Sequence, residues 1–332
     1  MQPMLQTESA VQEESIPVFQ PVPSRTSLFS FKSIRFALIV SVVYLLISYL
    51  LIGFKTDQLV LTILFNTLYF ASQTTRRFIT GFSIFIVYWI IFDYMKAFPN
   101  YQYNTVHIAS LYNLEKNWFG FSWNNILITP NEYFVLHHYT WLDVLAGFFY
   151  LCWIPVPLIF AGILFFKNKN YFFQFSLSFF LVNLIGFIGY YVYPAAPPWY
   201  VAQHGFEFIS TTPGNTAGMG RFDEFFGVHI FSGLYSKSSN VFAAMPSLHA
   251  AYMLIVLFYG IMSRMKRVYN YLFAFILFGI WFSAVYSSHH YVLDVLAGIG
   301  CGLLGIFLFQ ILMRYTKRGA KLVERLVVLA SK

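Results

Sequence analysis

Two histidines and one aspartate carry the clearest chemical potential in this chain. His290 and Asp294 stand four residues apart in Ser287-Ser288-His289-His290-Tyr291-Val292-Leu293-Asp294, a spacing that puts two side chains on one face of a helix. A carboxylate on one imidazole nitrogen fixes the tautomer and leaves the other nitrogen as a nucleophile. His249 lies in Met245-Pro246-Ser247-Leu248-His249-Ala250, where an apolar run begins and Pro246 suits the first turn of a helix. Free N–H groups at two helix starts, together with the Ser247 hydroxyl, are donors suited to phosphate oxygens. A His–Asp pair that merely ties two helices together, or a lone interfacial histidine, is the plainer alternative. A two-histidine phosphate site is the better reading if the two stretches meet, and that depends on the elements that carry them.

Those elements are membrane helices. The chain has 332 residues, 58% of them hydrophobic and 10% charged, against about a quarter charged in a soluble domain. Several apolar runs reach the roughly 20 residues that span a bilayer as a helix. The expected fold is all-α, a polytopic membrane bundle of eight transmembrane helices at about 34–54, 58–74, 79–96, 141–166, 171–193, 247–263, 269–288 and 290–313. The second is the weakest, being short and holding Asn66. Counting it places the clusters around Arg35, Arg76, Lys167, Lys266 and Lys317 on one face, as cytoplasmic loops require. The net charge of +8 therefore reports topology, not a nucleic-acid partner.

Residues 1–33 read as a disordered cytoplasmic tail, 34–316 as the transmembrane catalytic domain and 317–332 as a basic cytoplasmic tail. The first 24 residues lack Lys and Arg, so they are not a secretory signal. The last stretch suits an amphipathic helix on the inner leaflet or an extension of the final span. Cys152 and Cys301 sit in apolar runs and read as small core residues. Two long loops, 97–140 and 194–246, fall on the outer side, with Tyr133, Trp141, Trp199 and Tyr200 near their membrane edges. Long loops are a common address for function. The same topology brings the starts of the sixth and eighth segments, with His249 and His290, to that outer face. Glu115, His107, His137 and His138 in the first loop read as solvated residues outside the site.

Several stretches resemble a known family. Pro-Ser-Leu-His at 246–249 and His-Tyr-Val-Leu-Asp at 290–294 look like the second and third motifs of the type 2 phosphatidic acid phosphatase superfamily. Ala-Pro-Pro-Trp-Tyr at 196–200, Pro213-Gly214, Gly220-Arg221-Phe222-Asp223, Phe226-Gly227 and the doubled histidine 289–290 are similar to the inositol phosphorylceramide synthases, the aureobasidin-sensitive branch with bacterial relatives. The likeness is continuous over about 190–300; upstream only the general layout is shared. It implies a six-helix core preceded by N-terminal helices. It also implies phosphoinositol transfer from phosphatidylinositol to a ceramide or dihydroceramide through a phosphohistidine: His290 attacks phosphorus, Asp294 orients it, and His249 protonates the leaving diacylglycerol and later deprotonates the accepting hydroxyl.

Two departures from the broader superfamily bear on the substrate. Its first motif, Lys-(six residues)-Arg-Pro, is missing, and the arginine six residues before the nucleophilic histidine is here Ala284. A phosphate monoester carries about −1.5 to −2 charges near neutral pH, whereas a diester has one ionisable oxygen and needs less positive charge around it. The loss favours a diester-using transferase over a lipid phosphate phosphatase, the alternative reading. A transporter would spread ionisable groups near the bilayer midplane, and here they gather at one face. Arg221 is the expected phosphate partner, against the plainer reading of a loop Arg paired with Asp223 or Glu224, and Lys237 is a weaker candidate. Pro198 and Trp199, in a stiff stretch that cannot continue a helix, shape a wall of the site or merely stop the helix. The Gly/Thr/Asn loop 211–220 is placed to close over a polyol head group. No cofactor or metal is called for, since no carboxylate cluster stands ready, and no obligate protein partner is indicated. Short loops and the absence of any Asn-x-Ser/Thr sequence lean towards a bacterial inner membrane with a periplasmic site, rather than a Golgi membrane with a lumenal one.

Overall fold

The computed structural model describes residues 27–237 and 240–331. The expected N-terminal tail therefore falls largely outside the described residues, and its last three positions, 31–33, already belong to the first helix. In chain order the helices are α1 (Phe31–Ile52), α2 (Thr56–Ala71), α3 (Gln73–Tyr94), α4 (Ala109–Phe119), α5 (Pro130–Leu136), α6 (Thr140–Leu151), α7 (Pro155–Lys167), α8 (Lys169–Val192), α9 (Pro198–His204), α10 (Gly220–Phe226), α11 (Ile230–Tyr235), α12 (Leu248–Met262), α13 (Arg267–Tyr286), α14 (Val292–Tyr315) and α15 (Lys317–Ser331). A small antiparallel hairpin, β1 (Phe121–Trp123) and β2 (Ile126–Ile128), interrupts them between α4 and α5. Its two turn residues, Asn124 and Asn125, both have positive φ, as a two-residue type I′ hairpin requires.

The chain is an all-α integral membrane protein. Among the described residues, six stretches are long and apolar enough to cross a bilayer: Phe31–Ile52, Gln73–Ala97, Thr140–Lys167, Lys169–Val192, Arg267–Tyr286 and Val292–Tyr315. The other two expected spans are shorter. α12 is apolar but has 15 residues, and α2 has 16 with Asp57, Gln58 and Asn66 among them. At 1.5 Å per residue each is about 22–24 Å long, against a hydrocarbon core of ~30 Å. The segment expected at 141–166 is divided at Cys152–Ile154, because Pro155 lacks the N–H that would continue α6 and instead opens α7.

The core gathers around α12, which packs on α8, α13 and α14. Its Ala250, Ala251, Met253, Ile255 and Val256 are fully buried. α14 approaches through Gly298, Gly302 and Gly305: a Cβ on Gly298 would lie 2.0 Å from the Ser247 carbonyl oxygen, one on Gly302 3.3 Å from the Ala251 Cβ, and one on Gly305 2.4 Å from Val182. Small residues on one helix face are what allow backbones to touch in a membrane. Of the N-terminal helices, α3 joins this core through buried Phe85 and packs against α8 and α15, while α1 and α2 lie against α3. Within the basic 317–332 stretch, Lys317–Ser331 form α15, a separate helix after α14, with Val323 and Ala330 buried against that bundle.

Both long loops fold over one end of the bundle and are tied together. The His107 N–H donates to the Pro194 carbonyl at 2.7 Å, and the Ala195 N–H donates to the Phe242 carbonyl at 2.9 Å. Buried Asn100 donates to the carbonyls of Tyr190 and Phe242, and Asn131 to those of Val285 and His290. These side chains satisfy backbone groups that would otherwise be orphaned in the interior, and they hold rigid the loop that presents His290.

Candidate active site

The two histidine stretches meet. His249 Nδ1 lies 3.1 Å from His290 Nε2, although 41 residues separate them. His249 is the second residue of α12. His290 belongs to the turn before α14, two residues ahead of that helix. His290 and Asp294 therefore do not share a helical face, as their spacing suggested; a capping turn brings them together. Asp294 Oδ2 accepts the Tyr291 N–H at 2.9 Å and lies 3.5 Å from His290 Nδ1, the outer limit of a hydrogen bond. If the Nδ1 proton faces that carboxylate, His290 Nε2 keeps its lone pair, and the 3.1 Å contact then requires His249 Nδ1–H as its donor. Asp294 is fully buried and His290 is nearly so.

Other residues expected at the site are placed differently. Pro246 lies before the α12 cap, where its ring packs close to Gly189, and does not open the helix. Ser247 is fully buried between α12 and α14: its N–H donates to the Asp294 carbonyl at 2.9 Å, while its hydroxyl has no partner. The free N–H groups expected at the start of α14 are taken, since buried Glu115 on α4 accepts from Val292 and Leu293 at 2.9 and 3.0 Å. Arg221 makes no hydrogen bond to either histidine. Its Nε donates to Asp143 on α6 at 2.6 Å, and Asp143 also accepts from the Tyr286 hydroxyl and lies 3.4 Å from His138. Asp223, the partner considered from sequence, instead accepts the N–H groups of Phe231 and Ser232.

His249 and His290 open onto a cavity of about 820 Å³. Trp199, Gly214 and Asn215 line it, so the 211–220 loop and the Pro-Pro-Trp stretch do reach the site. Pro198 faces the other way, into a separate cavity of about 460 Å³. Arg221 and Ser247 are absent from both walls. Towards the bundle the wall is apolar and aromatic, with Tyr88, Trp89, Trp153, Leu248 and Tyr252; towards the loops it carries Lys55, Asp57, Asp93, Lys96 and Lys237. Such a surface suits a lipid with a polar head.

Four contributors were not among the expected site residues. The Tyr150 hydroxyl lies 3.0 Å from His249 Nδ1, and Trp153 packs edge-on against the same imidazole at 4.5 Å. His289 stacks between Tyr150 and Tyr235 and donates from Nε2 to the Thr216 carbonyl. Burial, followed by the neighbouring His290, pushes the His289 imidazole down to about 3, so it is a neutral wall at physiological pH. Glu115 is the fourth. Burial, with the Asp294 charge adding to it, outweighs the two backbone N–H groups and pushes this carboxyl up to about 7 from 4.5.

That shift has a measurable consequence. A carboxyl raised on folding contributes stability that is complete below its unfolded value, near 4.5, and is lost as pH rises through about 7. Glu115→Gln is expected to flatten the pH dependence of the melting temperature between those limits. A melting profile with the wild-type slope would contradict this assignment.

The chain's likeness to known proteins agrees with this geometry. The model of the PAP2 superfamily matches residues 109–308. A phosphoinositol dihydroceramide synthase of Bacteroides thetaiotaomicron is 48% identical over 274 residues, covering 82% of this chain and 90% of that protein. The inositol phosphorylceramide synthase of Candida albicans is 27% identical, covering 73% of this chain and 50% of its own length. The catalytic subunit of the Saccharomyces cerevisiae enzyme is 29% identical, with 76% and 59% covered. The chain thus spans almost all of the bacterial relative and between half and three-fifths of these two fungal ones. No solved structure matches.

Proposed function

Because the chain belongs to the PAP2 superfamily and is an enzyme of its synthase branch, we propose that it moves a phosphoinositol head group from phosphatidylinositol to dihydroceramide or a related ceramide. The observation that carries this reading is the 3.1 Å His249–His290 contact, backed by Asp294 and set in the wall of a cavity that is apolar on one side and charged on the other. The names of the bacterial and fungal relatives supply the donor and acceptor chemistry.

In the first half-reaction the His290 Nε2 lone pair attacks phosphorus. The bond from phosphorus to the glycerol oxygen breaks, and His249 gives its proton to that oxygen, releasing neutral diacylglycerol. In the second, His249 takes the proton of the acceptor's hydroxyl. That oxygen attacks phosphorus, the P–N bond breaks, and His290 is regenerated. Asp294 holds the Nδ1 proton throughout, and the Tyr150 hydroxyl keeps the His249 ring oriented. Splitting one displacement in two is ordinary covalent catalysis. The 3.1 Å contact leaves no room for phosphorus between the two nitrogens, so it belongs to the resting enzyme, and substrate arrival separates the rings. The reaction face is proposed as periplasmic, in a bacterial inner membrane.

The test is transfer by the purified full chain. Phosphatidylinositol labelled in the inositol ring, supplied with dihydroceramide, is expected to yield a labelled sphingolipid and diacylglycerol in equal amounts. Release of inositol phosphate without a labelled sphingolipid would overturn the reading in favour of a hydrolase.

A further inference from the structure

An anionic donor calls for a cation that the histidine pair and its nearest neighbours do not supply. Arg221 is held by Asp143, and the first N–H groups of α14 are held by Asp294 and Glu115. Yet the cavity wall does contain positive charge. Among the described residues that line it, the cations are Lys55 in the α1–α2 turn, Lys96 just past α3, and Lys237 after α11. Lys55 and Lys96 come from the helices that precede the 109–308 family match. All three lie at the opposite end of the bundle from Arg76, Lys167 and Lys266, which mark the other ends of α3, α7 and α13. Lysines on the side that basic residues normally avoid run against the topological rule, and here they converge on one cavity.

Their pairing is incomplete. Lys96 donates to Asp93 at 2.6 Å and Lys237 to Asp57 at 2.9 Å. Lys55 has no carboxylate partner within ion-pair distance among the described residues. It sits half-buried beside Lys96, and burial followed by that like charge pushes its ammonium down. Gln58, which accepts the Lys55 N–H, and Asn240 complete this end of the wall. Ammonium groups donate to phosphate oxygens and hydroxyls, and carboxylates accept from hydroxyls. Three ammoniums interleaved with two carboxylates therefore match a polyol that also bears one negative charge. A neutral acceptor lipid offers no charge to use.

We propose that Lys55, Lys96 and Lys237, with Asp57 and Asp93, form the donor head-group subsite of this enzyme, taking an anionic phosphodiester of a polyol. This rests on the transferase reading and adds that the N-terminal helices select the donor. Interactions made equally in ground and transition states change KM without changing kcat. In nanodisc-embedded protein, Lys55→Gln with Lys96→Gln is expected to raise the KM for phosphatidylinositol about tenfold or more, with the dihydroceramide KM held within about twofold. Lys55→Arg should restore most of the loss. A double variant with an unchanged donor KM, or with a fall in kcat alone, would overturn the subsite while leaving the transferase reading intact.

A binding arm separates the two readings. His290→Ala protein titrated with vesicles is expected to prefer phosphatidylinositol to phosphatidylcholine, and the added lysine substitutions should erase that preference. Free inositol phosphate should compete only weakly, since it lacks the tails that fill the apolar wall. If wild-type protein shows no transfer yet this preference and its loss are seen, the subsite stands and the reaction reading fails. Equal binding of both lipids by His290→Ala protein with its lysines intact would overturn the subsite.

Discussion

Replacing His290 with alanine is expected to abolish head-group transfer while leaving the protein folded. The turn that carries His290 is held by backbone atoms: its N–H donates to the Ala284 carbonyl, and its own carbonyl accepts from Asn131. Neither bond needs the imidazole. What is lost is the attacking nitrogen, and the adjacent His289 does not replace it, because its Nε2 is turned away to the Thr216 carbonyl. His249→Ala should behave differently. It removes a proton donor and acceptor worth about 10²–10⁴-fold in rate, so residual turnover should survive. An activated donor whose leaving group needs no proton should recover the first half-reaction in His249→Ala and not in His290→Ala. Equal rescue of both variants would contradict the division of roles.

Gly298→Ala is expected to have the largest effect of any single-carbon change in the bundle, on both stability and activity. The added Cβ would meet the Ser247 carbonyl oxygen at 2.0 Å, and that oxygen belongs to backbone at the α12 cap. It cannot swing aside as a side-chain tip would. Ser247 is also tied by its N–H to the Asp294 carbonyl, so relief requires α12 and α14 to part. That would carry His249 away from His290. Overpacking of this kind costs about 1–3 kcal/mol or more, and the lost alignment adds a fall in kcat. Gly300, two residues on in the same helix and exposed, has nothing within 4 Å of its Cβ position. Gly300→Ala should instead gain about 0.5–1 kcal/mol from reduced chain entropy. Thermal melts and transfer rates of the two variants side by side decide this; similar behaviour would show that the α12–α14 approach does not set the site.

The contrast also shows what sequence patterns carry. His249, His290 and Asp294 were legible because their signal is local: short stretches at helix starts, with one apolar run behind each. The membrane class was legible from the length and apolarity of the same runs. What escaped was contact between distant segments. Tyr150 reaches His249 across 99 residues, Glu115 reaches Val292 across 177, and Asp143 reaches Arg221 across 78. Nothing in the neighbourhood of Asp143 marks it as the residue that takes Arg221 out of the cavity. Likewise Glu115 reads as a solvated loop residue until α4 folds onto the start of α14. For α2 the limit is of another kind: an apolar stretch of 16 residues is consistent with a short span or with a helix lying on its neighbour, and period alone does not separate them. Lys237 was noticed as a cation near the motifs, whereas Lys55 and Lys96 became relevant only once the N-terminal helices were seen to wall the cavity.

The central claim is that the head group passes through His290. Its most direct test is to mix the purified enzyme with phosphatidylinositol labelled in the inositol ring, without any acceptor, and to quench within a single turnover. The account predicts a stoichiometric release of diacylglycerol and label bound to the protein through an acid-labile P–N bond, mapping by peptide mass spectrometry to His290. Adding dihydroceramide before the quench should discharge it into a labelled sphingolipid. Diacylglycerol formed only when the acceptor is present, with no protein-bound label at any time point, would instead mean a single direct displacement and would contradict the account.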